Sequence, residues 1–546
     1  MKRNSIKIVL MSGLIILGLA SCNKTKILAP NDKVTSAQVY STALGYKESL
    51  AKVYGAFAFT GQQAAASDGD ILGSDVGATD FFRLFFNAEE LSTDEAVIAY
   101  GDPGIQDLHN MAWSSSNFQL QTLYYRSFFQ ITLCNDFIRN STDAAISSHG
   151  ISGTDATNIR YFRAEARFLR AYQYWVLMDV FGNPPFVTDA TAVGASIPPQ
   201  TTRAALFTYI ESELKAIDPL LVAPMKNEYG RVDQAAAWAL LARIYLNAKV
   251  YTGTDRSTDA ITYSSKVIAA GYQLIPNFTQ LMLADNNLRS IPGGGTASEF
   301  ILTINYDGVK TQGYGGANYV THAASGGSMP TNLMGIDYKY GGLRTTSAIV
   351  NLFPAPNTTD GSQWPNNGNV DQRAQFWYPG QSLVINNETV FTDGIPVTKF
   401  RNVNSAGVVG SSLTFPDLDL PLFRVSEQYL IYAEATLRNG AGGDLVKALN
   451  YVNLIRARAY GNSNGNITSD QLTLQFILDE RGRELMWEGF RRTDLVRYGL
   501  FTSASYVWPF KGGVKNGTGV GDFRNIYAIP DADRAVNPNL KQNPGY

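Results

Sequence analysis

The chain has 546 residues, 45 of them basic and 47 acidic, for a formal net charge of −2. That balance leaves no basic footprint for nucleic acid, and the length supports one large core or several. Its two cysteines, Cys22 and Cys134, exclude a disulfide framework once Cys22 is set aside for the role described next.

Lys2, Arg3 and Lys7 precede an almost wholly apolar run from Ile8 to Ala20, the n-region and h-region of an export signal. The run is shorter than the roughly 20 residues a transmembrane helix needs. It ends Leu19-Ala20-Ser21-Cys22, which resembles a bacterial lipobox, where the cysteine is acylated and becomes the first mature residue. Residues 1–21 are therefore expected to be removed, which takes away three positive charges and moves the formal charge from −2 to −5. Stable anchoring takes more than one acyl chain, and a lipoprotein cysteine carries several, so Cys22 is the expected lipid attachment point.

Helical segments follow in chain order: 48–58, 118–140, 161–182, 203–221, 233–251, 258–272, 425–440, 444–461 and 473–499. In each, apolar residues recur at three- and four-residue steps, the mark of one buried helix face. The 161–182 segment stops at Gly182 with Pro184 and Pro185 behind it, a strong helix stop. Cys134 falls in the second helix as a buried free thiol. Between the helices lie long Gly/Ser/Asn/Asp-rich stretches at 60–118, 276–345 and 354–420. Loops of that length are uncommon and usually functional. The runs at 299–306 and 382–392 read as short strands within them, and Gly293–Ser298 as a flexible turn.

Trp238, Leu241, Ala242 and Tyr245 match the spacing of a tetratricopeptide repeat, with Ala in the Gly position, and 258–272 supplies the partner helix. The segments at 425–440 and 444–461 form a second pair of the same shape. The insertion Val250–Ser257 breaks the 34-residue period, so the reading is a set of stacked helix pairs with long excursions between them, not an uninterrupted solenoid.

Ala164–Thr188, Glu480–Gly499, Ile526–Tyr546 and Glu90–Asp102 together resemble, in order along the chain, the hallmark segments of the SusD/RagB family of outer-membrane nutrient-binding lipoproteins. The resemblance implies a mainly α fold in which tetratricopeptide-like pairs form the scaffold and long loops with short strands form the ligand face. It implies a single SusD-like domain over 22–546: a half at 22–290 with the first helix pairs, and a half at 291–546 holding the excursion 291–420 and the last pairs. It further implies a non-catalytic protein with no cofactor, which binds oligosaccharide or polysaccharide at the cell surface and delivers it to a SusC-like TonB-dependent transporter. Asn23-Lys24-Thr25-Lys26 departs from the acidic residues that often follow the cysteine in surface-exported members.

The alternatives from other classes are a surface glycoside hydrolase and a peptide-capturing or structural partner of the transporter. His109, His149 and His322 stand at no metal-ligand spacing, and no G-x-S-x-G elbow or phosphate loop occurs. Glycoside hydrolysis needs only two carboxylates. Glu480, Glu484 and Glu488 lie at i, i+4 and i+8 on one helix face, but Arg481, Arg483, Arg491, Arg492 and Arg497 surround them. Carboxylates beside guanidinium groups stay ionised, whereas a general acid needs a raised pKa. Glu165 with Arg167 and Arg170 reads the same way, as a structural ion pair.

A sugar offers a C–H face and hydroxyl edges, so its site combines flat aromatic rings with a few fixed polar groups, commonly on loops carried by a rigid scaffold. Three loops meet that description. Thr60–Trp113 offers Asp68, Asp70, Tyr100, Asp102 and Trp113. Asn305–Gly342 offers Tyr306, Tyr314, Tyr319, Tyr338 and Tyr340 among glycines. Ser362–Gln381 offers Trp364, Asp371, Arg373, Trp377 and Tyr378. Ser67–Asp80 is rich in Asp but lacks the calcium-loop pattern with its terminal Glu, and no metal is assigned.

Overall fold

The computed structural model describes residues 35–62, 69–192, 194, 197–290 and 299–546. Cys22, Asp68 and the Gly293–Ser298 turn lie outside the described residues. Helices of seven residues or more are α1 (Ala43–Gly55), α2 (Phe81–Glu89), α3 (Phe118–Asn140), α4 (Gly153–Val180), α5 (Arg203–Ile217), α6 (Gln234–Leu246), α7 (Ser257–Ala269), α8 (Val425–Leu437), α9 (Leu445–Tyr460), α10 (Leu474–Leu485) and α11 (Arg491–Arg497). The strands are β1 (Val97–Ile98), β2 (Phe300–Ile304), β3 (Leu343–Arg344) and β4 (Leu420–Arg424). Among the described residues no helix is long and apolar enough to cross a membrane.

Local chemistry fixes the helix ends. Asn117, Thr202 and Asp233 each accept a backbone N–H from the first turn of α3, α5 and α6, and Asp444 does so for α9. Gly461 ends α9 in the left-handed region at φ 68°. Successive helices from α3 to α9 pack on one another in chain order. The stack does not break at the excursion: α7 packs directly on α8, although residues 270–424 separate them. At the neck of that excursion β2 pairs antiparallel with β4, Phe300 opposite Arg424 and Ile304 opposite Leu420. One hydrophobic core runs from Tyr40 to Leu540, and Met329, Met334, Ile336 and Trp377 form a small satellite within the excursion.

Three readings of the sequence are corrected. The stretch 60–118 contains α2, whose nine residues are all buried, Arg83, Asn87 and Glu89 included; so short a run inside a loop-like sequence shows little period. The run 382–392 is not a strand and makes only a single bridge from Ser382 to Asp393. The 473–499 segment is two helices, broken where Trp487 takes φ 65°. Glu488 therefore lies past the end of α10.

Glu488 nonetheless joins the same buried network, sharing Arg424 with Glu484. Arg424 reaches Glu299 at 2.8 Å, Glu484 at 2.6 Å and Glu488 at 2.7 Å. Arg458 adds Glu299 at 3.1 Å and Glu484 at 2.5 Å, and Lys399 pairs with Glu488. Arg373 joins Asp371 at 2.7 Å to Glu480 at 2.8 Å. Next along the chain, Arg491 holds Asp94 at 2.8 Å, Arg492 holds Asp179 at 3.1 Å and Arg497 holds Glu434 at 2.7 Å. Removing one partner of a buried pair leaves an uncompensated charge and costs about 3–5 kcal/mol. Arg424→Met is expected to lose about that much in urea unfolding at pH 7; a loss below about 1 kcal/mol, the size of an exposed pair, contradicts the account.

The buried acids titrate in two directions. Burial pulls Glu484 and Glu434 upward, but Arg458, Arg424 and Arg373 around the first, and Arg497 and Arg438 around the second, bring both to about 2. Burial pushes Glu89 up to about 8, helped by Asp179, and Glu95 up to about 7 against the pull of Arg491. The depressed pair stabilises the fold above the ordinary carboxylate value near 4.5 and loses that contribution as pH falls toward 2. The raised pair keeps its protons in the folded state alone between about 4.5 and 8, so its contribution fades as pH rises through that window. Thermal unfolding is expected to show maximal Tm near pH 5, falling on both sides; a Tm rising steadily from pH 5 to 8 contradicts it.

Candidate functional site

A surface depression of ≈440 Å³ gathers Asp75, Val76, Arg83, Tyr100, Asp102, Tyr314, Tyr319, Tyr338 and Tyr340. Its parts come from both ends of the chain. Asp80 caps α2 by accepting the Arg83 N–H at 2.9 Å, which sets the Arg83 side chain toward the preceding loop. There its Nη1 and Nη2 donate to the two Asp75 oxygens at 2.9 and 2.8 Å. The guanidinium carbon lies 4.8 Å from the centre of the Tyr319 ring. Burial works against the Arg83 charge, and Asp75 and Tyr319 more than offset it, so its pKa stands above the ordinary value. Tyr319 is the floor: it is buried, its hydroxyl donates to Asn87 Oδ1 at 2.9 Å, and Phe86 meets its ring edge-on.

The walls are aligned by β1 and β3, which pair Val97 with Arg344 and Ile98 with Leu343. The pairing continues as the Ala99 N–H donates to the Gly342 carbonyl at 2.9 Å. Tyr100 then packs on Gly342, where an added Cβ would stand 2.5 Å from its ring. Tyr338 is 68% exposed and is the most open ring of the set. Tyr340 is half-buried, 6.0 Å from Tyr338 at 44°. Tyr314, also half-buried, is braced edge-on by Phe415 at 5.3 Å. Asp102 is half-buried at the rim, and its carboxylate accepts no hydrogen bond from the described residues.

Of the sequence candidates, Tyr100, Asp102, Tyr314, Tyr319, Tyr338 and Tyr340 are thus brought together. The others are placed elsewhere. Trp113 is 1% exposed, donates to the Tyr546 hydroxyl at 2.6 Å and packs on Tyr527; it pins the C-terminal tail. Tyr306 is buried behind Gly316, its N–H held by Asp419 at 2.8 Å. Asp371 and Arg373 are wholly enclosed in the ion-pair network, where no ligand reaches them. Trp377 is buried in the satellite core and donates to Ser328 and Pro379. Trp364 packs under Arg401 and donates to Thr398 Oγ1 at 3.1 Å, and Tyr378 leans on Phe376. Asp70 pairs with Lys52 at 3.5 Å and Arg126 at 3.8 Å, and lines the neighbouring hollow of residues 69–79. Asp75 and Arg83 were not among the candidates. Asp75 stands in the Asp-rich run Ser67–Asp80, which offers several equivalent carboxylates, and Arg83 is the one charged residue in an otherwise apolar stretch, the signal that could have found it.

Other groups singled out in the sequence are structural. Cys134 is a buried free thiol pushed up to about 12 by burial. His109 is buried against the Leu91 carbonyl and lowered to about 4. Among the described residues no group of three or more His, Cys, Asp or Glu is arranged to hold a metal ion.

Residues 298–546 match the family model described as SusD family, and residues 92–246 match one described as starch-binding associating with outer membrane. The chain is 34% identical to the starch-binding protein SusD of Bacteroides thetaiotaomicron, with 100% of both chains covered. It is 22% identical to SusD-like protein P38 of Formosa agariphila over 70% of this chain and 74% of that one. Among solved structures, a SusD superfamily protein from Parabacteroides distasonis superposes with a TM-score of 0.69 at 20% identity, covering 94% of this chain and 100% of that one. Surface glycan-binding protein A from Bacteroides thetaiotaomicron, in complex with laminarihexaose, does so with a TM-score of 0.65 at 20% identity, over 91% of this chain and 98% of that one. The chain belongs to the SusD family, and its scaffold is the mainly α fold of that superfamily.

The Tyr100–Gly342 contact gives a direct test of the shelf. Gly342→Ala is expected to push the Tyr100 ring off its seat with little change in Tm. The readout is Tyr100 accessibility, measured by nitration and peptide mapping. Nitration of Tyr100 at the wild-type rate contradicts the contact.

Proposed function

We propose that this protein binds a glycan non-catalytically on the tyrosine-lined depression, at the outer membrane, and passes it to a TonB-dependent transporter of the SusC type. The observation that carries the reading is the shelf itself: Tyr100, Tyr314, Tyr338 and Tyr340 over a Tyr319 floor, with the Arg83–Asp75 pair and Asp102 at its side. Such rings present apolar faces to sugar C–H groups while their hydroxyls meet the edges. Asp75, held in place by Arg83, and Asp102 bring carboxylate acceptors, and hydrogen bonds to charged groups are the stronger kind. Two carboxylates against one guanidinium suit a neutral polyhydroxyl ligand better than a polyanion.

The full-length relative called starch-binding protein SusD makes starch-type α-glucans the first ligands to try, with β-glucans such as laminarihexaose second. Binding without hydrolysis is supported by the engagement of both Asp75 oxygens by Arg83, which leaves Asp102 as the one unengaged carboxylate among the described residues lining the depression, whereas a glycosidase works with a pair. Acylation of Cys22 after removal of residues 1–21 would hold the protein at the membrane, and residues 22–546 would act as one domain.

Calorimetry of the purified chain from residue 23 onward against an oligosaccharide panel tests this. Tyr338→Ala and Tyr340→Ala are each expected to weaken binding about three- to tenfold, with no reducing sugar released. Glycan cleavage by the pure protein, or affinity untouched by both substitutions, overturns the proposal.

A further inference from the structure

His322 lies directly beneath the shelf. It belongs to the short π-helical turn Tyr319–Ala323, which also carries the floor residue Tyr319. Single π turns recur at functional sites. His322 is fully buried, and three of its contacts are with shelf residues. Its Nδ1 stands 2.7 Å from the Tyr338 carbonyl, its ring is stacked on Tyr340 at 4.8 Å and 28°, and its own carbonyl accepts the Tyr340 N–H at 2.9 Å.

A carbonyl only accepts, so Nδ1 carries the ring proton. Asp337 does not orient the ring, because its nearer oxygen is 3.9 Å from Nδ1 and its other oxygen takes the Thr414 hydroxyl. Tyr338, at 68% exposure, has little side-chain packing to fix it. Its position rests on its backbone, which His322 holds at the Tyr338 carbonyl and at the Tyr340 N–H, beside the bond from the Asp337 N–H to the Leu413 carbonyl.

We infer that His322 is a positioning residue for ligand binding: by holding the Tyr338 carbonyl and the Tyr340 ring at once, it pre-orders the two rings. Pre-ordering lowers the ordering cost at the moment of binding. Phenylalanine here would supply the stack without the donor, and asparagine a donor without the stack; only a ring bearing an N–H does both. This inference rests on the shelf being the glycan site.

The test uses His322→Phe and His322→Asn. Each is expected to weaken glycan binding about three- to tenfold while Tm stays near the wild-type value. In a Tyr338→Ala/Tyr340→Ala background the same changes are expected to have no further effect, since a residue acting only through those rings has nothing left to position. Unchanged affinity in both single variants, or an equal loss in the double-alanine background, overturns the inference. Amide hydrogen exchange at residues 338–341 provides a ligand-free readout. Faster exchange there in His322→Phe, with α3 and α4 unchanged, supports the role, and unchanged exchange overturns it. If the wild-type chain binds no glycan in the panel, the proposed function falls and the exchange experiment alone decides the positioning role.

Discussion

The structure depends on a chain of buried ion pairs threaded along α10 and α11. Burying a charge is tolerable only with a close partner and satisfied hydrogen bonds, and here each guanidinium reaches a different part of the chain. Arg373 and Lys399 come from the excursion, Arg424 and Arg458 from the closing strand and α9, and Arg491 and Arg492 reach back to Asp94 and Asp179. The ion pairs therefore act as a registration device. A helix slipped by one turn would strand several charges at once, which penalises wrong packings more than it rewards the right one.

The shelf inherits its geometry from that frame. Glu90 and Glu95, which receive the Gly489 and Trp487 N–H groups, tie the segment leading into β1 to the hinge between α10 and α11. From β1 the backbone runs two residues to Tyr100, and from β3 one residue back to Gly342, so a two-residue ladder sets the Tyr100 ring against that glycine. The exposed rings ride on rigid backbone and not on a free loop. That is why a shallow surface patch can keep a defined shape without a ligand.

The helical scaffold was legible because amphipathic stripes and caps are local signals. The α2 helix was not, because nine residues inside a loop-like stretch are too short a run to show a clear period, and the break at Trp487 lies inside one apolar-periodic run, with Gly489 beside it as its local mark. For the site, the rule that ligand aromatics sit among glycines in long loops led to the loop at Asn305–Gly342, and to Tyr100 and Asp102, which line the depression. It led equally to Trp364, Trp377, Asp371 and Arg373, which proved to be packing and ion-pair residues. Composition alone does not say which side of a loop faces the solvent. Asp371 and Arg373 have the same chemistry as Asp75 and Arg83; what separates them is the presence of Glu480 behind one pair and open solvent before the other.

The neck formed by β2 and β4 has a consequence for how such a protein can change. The chain leaves the helical stack after Ile304 and returns at Leu420, and those two residues are register partners. Exit and re-entry lie side by side, and α7 already touches α8 without help from the intervening residues. The surface loops within the stretch can thus be lengthened, shortened or exchanged, because closing a longer loop across a fixed gap costs little, so long as Arg373, Lys399 and β3 keep their partners in the frame. New surface chemistry can be tried out while the frame that anchors it stays as it is.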